Sequence, residues 1–99
     1  MGYKLKYTKR AEKDARKLEN VGLDVTARDL LKIIKNNPFQ NPPPYEKLKG
    51  RLKDLYSRRI NKQHRIVYDL LPNNEKYKDE NGNLYKGIVK IIRMWTHYE

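Results

Sequence analysis

The 99-residue sequence contains no cysteine, one phenylalanine and one tryptophan. The absence of cysteine excludes a disulfide framework and a thiolate metal site. No apolar run approaches the roughly 20 residues of a transmembrane helix, and the first residues lack the apolar core of a signal peptide. We therefore expect a cytoplasmic protein that has no membrane partner.

Large apolar and acidic residues are also scarce. Leu, Ile, Val and Phe total 23 of the 99 residues, just above the roughly 20% below which chains tend to be disordered. A chain of this length and composition predicts one domain, residues 1–99, with a small core. The 12 acidic residues face 23 basic ones, giving a formal net charge of +11 and a pI near 9.9. Such an excess indicates an anionic partner, nucleic acid before membrane.

The first part of the chain predicts a strand and two helices. Residues 3–7 alternate apolar and basic side chains, which indicates a half-buried strand, and Thr8 is suited to cap the helix that follows. Residues 20–22 predict the end of that helix, and a second helix is expected from an N-cap at Asp24 to Asn36. The apolar stripes of the two helices are Ala11, Ala15 and Leu18, then Ala27, Leu30, Leu31 and Ile34. Their short link predicts an antiparallel hairpin.

Two features of this part allow alternative interpretations. The first helix carries several cations, which form either a solvated face or a surface that meets RNA or a protein partner. Pro42 to Pro44 predict an extended, stiff connector that sets the distance from the helices to Glu46. The alternative is a polyproline ligand for a binding partner.

The second part of the chain predicts further strands. Residues 55–60 and 64–71 have strand character and are joined by a turn at 61–63. Residues 87–98 form a largely apolar run, which is typical of a central strand covered on both faces. Residues 72–86 are polar and have turn chemistry that allows a small extra hairpin. The order of elements predicts an α+β domain with the helices on one face of a mainly antiparallel sheet.

The most basic segment of the sequence runs from residue 46 to residue 68. Only Glu46 and Asp54 are acidic in it. Its basic residues are Lys47, Lys49, Arg51, Lys53, Arg58, Arg59, Lys62 and Arg65. This density of cations indicates a polyanion-binding surface.

Metal-free RNA cleavage requires a base for the 2′-hydroxyl, cations for the phosphate and an acid for the leaving 5′-oxygen. Glu46 is a candidate base, although a lone glutamate among lysines is also typical of a surface ion pair. Arg65 is a candidate phosphate ligand, since a guanidinium can hold two phosphate oxygens at once, or it is a strand-surface cation. Histidine suits the acid, but the residues alone do not rank His64 against His97.

Several segments of the chain together resemble the YoeB/Txe family of bacterial toxins, which belong to the RelE-like messenger-RNA interferases. The helical pattern of residues 25–38 also matches. The segments that carry the resemblance are Asn37-Pro38-Phe39, Glu46-Lys47-Leu48-Lys49, Tyr56-Ser57-Arg58-Arg59-Ile60-Asn61, His64-Arg65-Ile66-Val67-Tyr68 and His97-Tyr98.

The resemblance implies a fold, an activity and partners. The fold would be microbial-ribonuclease-like, and the activity would be cleavage of messenger RNA in the ribosomal decoding site without metal or cofactor. Ribosomal RNA would be a further partner. An acidic antitoxin would inhibit the toxin, and operator DNA would be bound only by the toxin–antitoxin complex. A homodimer is a further possibility that the sequence leaves open.

The resemblance also implies roles for individual residues. Glu46 would be the base and His97 the acid, leaving His64 as a structural residue. The implied phosphate or RNA contacts are Arg65, Arg59, Lys49 and Tyr98. Arg58 is interpreted as a general electrostatic or antitoxin contact, and Tyr56 and Trp95 as packing residues rather than platforms for RNA bases.

The sequence departs from the family pattern at three places. Tyr56 stands where tryptophan is usual, residues 72–86 are longer than a tight hairpin, and Glu99 follows the terminal His-Tyr pair. Two other functions remain open. One is a non-catalytic basic RNA-binding domain, and the other is a relative that poisons a different target, such as a topoisomerase.

Overall fold

The computed structural model describes residues 2–48 and 55–95. Within these ranges the elements are β1 (Tyr3–Tyr7), α1 (Lys9–Asn20), α2 (Asp24–Asn36), β2 (Glu46–Lys47), β3 (Tyr56–Arg59), β4 (Arg65–Leu71) and β5 (Gly87–Arg93). The strands form one sheet in the order β1-β5-β4-β3-β2. β1 is parallel to β5, and the other neighbours are antiparallel. The part of the chain described here has no helix that is both long and apolar enough to cross a bilayer.

Both helices pack on one face of this sheet. Side chains alternate between the two faces of a strand, and Ile66 and Tyr68 of β4 point toward the helices, where they are fully buried. The core cluster comprises Ala11, Leu18, Ala27, Leu30, Ile34, Ile60, Ile66, Tyr68, Val89, Ile91 and Met94. The predicted α+β architecture and the apolar stripes of both helices are therefore confirmed. We call the opposite side of the sheet, on which Ser57 and Arg65 lie, the far face.

The ends of the helices follow local hydrogen bonding. Thr8 Oγ1 accepts the backbone N–H of Ala11, as predicted for a cap, and donates to the carbonyl oxygen of Ile92 on β5. Gly22 has a φ of 76° just after α1, a conformation that glycine adopts at little cost. The prediction of Asp24 as a side-chain cap is wrong: Leu23 occupies that position without a side-chain cap, and Asp24 pairs with Arg28.

Replacing Thr8 by alanine should lower the free energy of unfolding by about 1–2 kcal/mol, because the cap of α1 and its link to β5 are both lost. Thermal or urea denaturation measures the change. Thr8→Ser, which keeps the hydroxyl, is the matched control and should retain most of the stability. An alanine variant as stable as the serine variant would contradict the assigned role.

The proline-rich loop bends instead of extending. The chain bends at Pro42 and Pro43, so the prediction of an extended connector is wrong there. The cause is Arg58, whose guanidinium donates to the carbonyl oxygens of Pro38, Gln40 and Pro43 at 2.7–3.0 Å. A single planar group with several donors thus gathers carbonyls from three points of the loop.

Among the residues that the structure describes, Arg58 heads the large fully buried side chains, with 1% exposure. The interpretation of Arg58 as an electrostatic or antitoxin contact is therefore wrong. Its Nε donates to the hydroxyl of Tyr68, which in turn donates to the Pro38 carbonyl. Burial raises the pKa of Tyr68, although the nearby Arg58 opposes the change, so this phenol stays protonated and able to donate. The loop that leads into β2 is consequently fixed on the core.

The last strand is shorter than predicted. β5 ends at Arg93 instead of continuing to residue 98. The buried carboxylate of Asp14 on α1 accepts the backbone N–H of Met94 at 3.0 Å and the Nε of Arg93 at 2.8 Å. The Met94 N–H is thus bonded to Asp14, and the register of β4 with β5 shifts between Val67 and Tyr68. Residues 96–98 of the predicted strand lie outside the described ranges.

Residues 72–86 form the small hairpin that the sequence allowed. Lys78 and Leu84 make an isolated antiparallel bridge. The hairpin lies against β1, where Lys6 Nζ donates to the hydroxyl of Tyr77 at 2.8 Å and sits over the same ring. This hydrogen bond raises the pKa of Lys6. The hairpin is thus attached to the edge strand β1 through the side chain of Lys6.

Candidate active site

Three neighbouring strands bring the predicted base and phosphate ligand together. Glu46 on β2 is opposite Ser57 on β3, and Arg59 on β3 is opposite Arg65 on β4. Directly opposed residues of an antiparallel pair point to the same face of a sheet. The far face therefore carries a carboxylate, a hydroxyl and two guanidinium groups within three strands. They come from positions up to 19 residues apart in the sequence.

The centre of this site is the side chain of Arg65. Its Nη1 lies 3.3 Å from Glu46 Oε2 and 3.3 Å from the hydroxyl oxygen of Ser57, and it donates to both. The Arg65 side chain is 13% exposed, whereas that of Glu46 is 58% exposed. The guanidinium is thus largely covered and is held by the buried Ser57, while the Glu46 carboxylate is open to solvent.

Ser57 was missed as a site residue by the sequence reasoning. It is 2% exposed and lies directly beneath the guanidinium of Arg65. The available signal was alternation along β3, which places Ser57 on the same face as Arg59. Sequence alone did not say that this face carries the site.

Of the other predicted site residues, only Arg59 lies within the described part of the chain. Arg59 is exposed on the far face and paired in register with Arg65. Lys49, His97 and Tyr98 lie outside the described residues, so their predicted roles stay predictions.

His64 is buried, with 5% exposure. Its Nδ1 lies 3.1 Å from the carbonyl oxygen of Trp95, and its ring stacks on the Trp95 ring with centroids 4.0 Å apart. Both contacts fit the interpretation of this histidine as structural. The same carbonyl accepts the backbone N–H of Arg65 at 2.9 Å. Trp95, two positions before His97, is therefore anchored beside the site.

Tyr56 is part of a packed aromatic group. Tyr56 makes edge contacts with Phe39 and Tyr45 and stacks on Tyr68, with centroid distances of 5.4–6.1 Å. Tyr56 and Trp95 both pack against the core cluster. The interpretation of the two rings as packing residues is confirmed.

The arrangement can accept a proton and bind an anion in one place. A carboxylate exposed to solvent can act as a general base, and a guanidinium that is held in position can bind phosphate oxygens. In residues 2–48 and 55–95, no three His, Asp or Glu side chains are grouped in a way that could hold a metal ion.

Comparison with known proteins identifies the family. A model described as "YoeB-like toxin of bacterial type II toxin-antitoxin system" matches residues 6–98. The chain belongs to this family of toxins. The resemblance found in the sequence motifs is thereby confirmed, and the sheet with its two helices is the fold of the YoeB-like toxins.

Solved structures of YoeB toxins agree over nearly the full length. The YoeB/ParE toxin from Agrobacterium tumefaciens is 25% identical, with a TM-score of 0.76, and the match covers 96% of this chain and 99% of that one. A chain of the YoeB–YefM complex from Staphylococcus aureus is 29% identical, with a TM-score of 0.67 and coverage of 99% and 100%. The YoeB dimer from the same species is 26% identical, with a TM-score of 0.69 and coverage of 99% and 100%. A search of curated proteins finds no match.

Proposed function

We propose that residues 1–99 act as one toxin domain that cleaves messenger RNA in the ribosomal decoding site, without a metal or a cofactor. The observation that carries the proposal is the contact between Glu46 and Arg65 on the far face. This contact places a proton acceptor directly beside a phosphate ligand, 3.3 Å apart.

The chemistry begins at the 2′-hydroxyl of the nucleotide before the scissile bond. Glu46 takes its proton, and the 2′-oxygen attacks the adjacent phosphorus. Arg65 binds the phosphate oxygens on which negative charge builds, and Arg59 and Lys49 add further positive charge. The bond from phosphorus to the 5′-oxygen breaks, leaving a 2′,3′-cyclic phosphate on one product.

The leaving 5′-oxygen needs a proton, and His97 is proposed to supply it. Trp95 is held beside Arg65 by the hydrogen bond to its carbonyl oxygen. Two residues of chain can span about 7 Å, so an imidazole at position 97 has the reach to meet a phosphate bound at Arg65. Tyr98 is proposed to contact the phosphate or stack on a base.

Binding of substrate would break the ion pair between Glu46 and Arg65. In this structure Arg65 is shared between Glu46 and Ser57. A bound phosphate competes with the carboxylate for the guanidinium, which frees Glu46 to accept a proton. Ser57 continues to accept its hydrogen bond from Arg65 and so holds the guanidinium in place while phosphate replaces the carboxylate.

An antitoxin protein is proposed as the regulatory partner. The relatives include toxins solved as the YoeB–YefM and DinJ–YafQ complexes. The net charge of +11 favours an acidic segment as the inhibitor, because such a segment can cover clustered cations. We propose that it covers Arg65 or displaces the His97-Tyr98 end.

The proposed function is tested with purified toxin, a defined messenger RNA and ribosomes, in the presence of a chelator. We expect cleavage only when ribosomes carry the messenger, and a cyclic phosphate at the new 3′ end. The same RNA without ribosomes is the control. Messenger that stays intact on ribosomes despite binding of the toxin would favour a non-catalytic RNA-binding protein and contradict the proposal.

A further inference from the structure

The backbone just after β5 is fixed from two sides. On one side, the buried carboxylate of Asp14 accepts the N–H of Met94 at 3.0 Å. On the other side, the carbonyl oxygen of Trp95 accepts the N–H of Arg65 at 2.9 Å and lies 3.1 Å from Nδ1 of His64. The chain therefore has a defined position two residues before the proposed acid.

The side chain of His64 contacts both the backbone and the ring of Trp95. A carbonyl oxygen can only accept a hydrogen bond, so Nδ1 of His64 carries the hydrogen and donates it. The imidazole also stacks on the indole, with 4.0 Å between the ring centroids and 25° between the ring planes. Lys17 Nζ on α1 lies 5.7 Å from the centroid of the same indole. The buried imidazole thus restrains Trp95 at two points.

The carbonyl oxygen of Trp95 connects two residues of the proposed site. Arg65, the proposed phosphate ligand, donates its backbone N–H to this oxygen, and His97 follows Trp95 two positions along the chain. A shift of the oxygen would therefore move His97 relative to a phosphate bound at Arg65. Because proton transfer needs the acid within hydrogen-bond distance of the leaving oxygen, a misplacement of about 1 Å can slow the reaction by about 10²-fold.

We propose that His64 is a positioning residue for the proton transfer, because its hydrogen bond to the Trp95 carbonyl oxygen places His97 against the leaving 5′-oxygen. The proton passes from the imidazolium of His97 to that oxygen as the bond to phosphorus breaks. The inference rests on the proposed function, in which His97 is the acid. With 5% exposure, the ring of His64 is covered by protein, so it acts through Trp95 and not on the RNA.

The test compares two messenger RNAs in single-turnover cleavage on ribosomes by the full-length toxin. One has the natural 5′-oxygen at the bond that the parent toxin cleaves, and in the other sulfur replaces that oxygen. A thiolate leaves without a proton because thiols are much stronger acids than alcohols. Loss of the acid therefore slows cleavage of the oxygen linkage alone, whereas loss of the fold or of RNA binding slows cleavage of both linkages.

Two variants of His64 separate its hydrogen bond from its bulk. His64→Phe keeps a ring and removes the N–H, and His64→Asn has an amide N–H that can donate from the place of Nδ1. His64→Leu repeats the removal of the N–H with a smaller side chain, should phenylalanine prevent folding. Circular dichroism checks that each variant is folded. Ile34→Val, which shortens a fully buried side chain of α2, is the control for packing.

We expect His64→Phe to cleave the oxygen linkage about 10–100-fold more slowly than the parent and the sulfur linkage at a rate within a few-fold of the parent. His64→Asn should retain most of the rate on the oxygen linkage. Ile34→Val should cleave both linkages like the parent. His97→Ala gives the reference pattern for a missing acid, with slow cleavage of the oxygen linkage and normal cleavage of the sulfur linkage.

A phenylalanine variant that is equally slow on both linkages would overturn the proposal, because His64 would then only maintain the fold. So would a phenylalanine variant as fast as the parent on the oxygen linkage, or an asparagine variant as slow as the phenylalanine variant. His97→Ala separates this result from a failure of the proposed function. If sulfur restores neither variant, His97 is not the acid and the inference fails with that role. If sulfur restores His97→Ala but not His64→Phe, the inference alone fails.

Discussion

Replacing Glu46 by glutamine is expected to reduce ribosome-dependent cleavage by about 10²–10⁴-fold. Glutamine keeps the size of the side chain and an oxygen that can accept from Arg65 Nη1, so the contact at 3.3 Å can survive. What it removes is the ability to take a proton. The measurement is the single-turnover rate on ribosomes carrying messenger RNA, and the loss corresponds to about 3–5 kcal/mol of transition-state stabilisation.

The control for this variant is Glu80→Gln, which makes the same change in charge on the exposed 72–86 hairpin. Its cleavage rate should equal that of the parent. The stability of Glu46→Gln should also be close to that of the parent, because the Glu46 side chain is 58% exposed. A Glu46→Gln toxin that cleaves within a few-fold of the parent would show that another group takes the proton.

The second large effect is expected at Arg58, and it concerns stability. Replacing Arg58 by methionine keeps an unbranched buried side chain but removes every donor. The carbonyl oxygens of Gln40 and Pro43 then lose their Arg58 donor, and the carbonyl oxygen of Pro38 keeps only the Tyr68 hydroxyl. Each acceptor left without a partner away from water costs about 1–3 kcal/mol. We expect a loss of about 3 kcal/mol or more in the free energy of unfolding, measured by urea denaturation.

Arg59 provides the matched control for this experiment. It is the next residue along β3, carries the same charge and is exposed, so Arg59→Met should change stability by about 0.5 kcal/mol or less. Equal stabilities of the two variants would contradict the structural role of Arg58. Since the loop held by Arg58 leads directly into β2, the Arg58 variant should also misplace Glu46 and lose cleavage activity.

The comparison of Arg58 with Arg59 shows where sequence reasoning stopped. Both are arginines in the same basic segment, and composition does not distinguish them. Alternation predicts that they point to opposite sides of the sheet, but not which side is covered. The answer depends on loop carbonyls 15–20 residues away, a distance at which no local pattern is informative.

The secondary structure was easier to predict from the sequence than the site. The bounds of α2 and the strand positions of β1, β3 and β4 follow the hydrophobic period closely, because local packing and turn residues set them. β2, with two residues, is too short to show a period. The end of β5 depends on Asp14, which reaches it from α1 across about 80 residues of sequence.

The sequence by itself determined that the chain is strongly basic, that it forms an α+β fold, and that Glu46 and Arg65 are its candidate base and phosphate ligand. Only the tertiary structure decided that these two residues meet, that Ser57 supports them, and that His64 and Arg58 are buried. The physical reason is that period and composition describe one segment at a time. A site is made by pairing between segments, and the choice of the covered face follows from what packs across it.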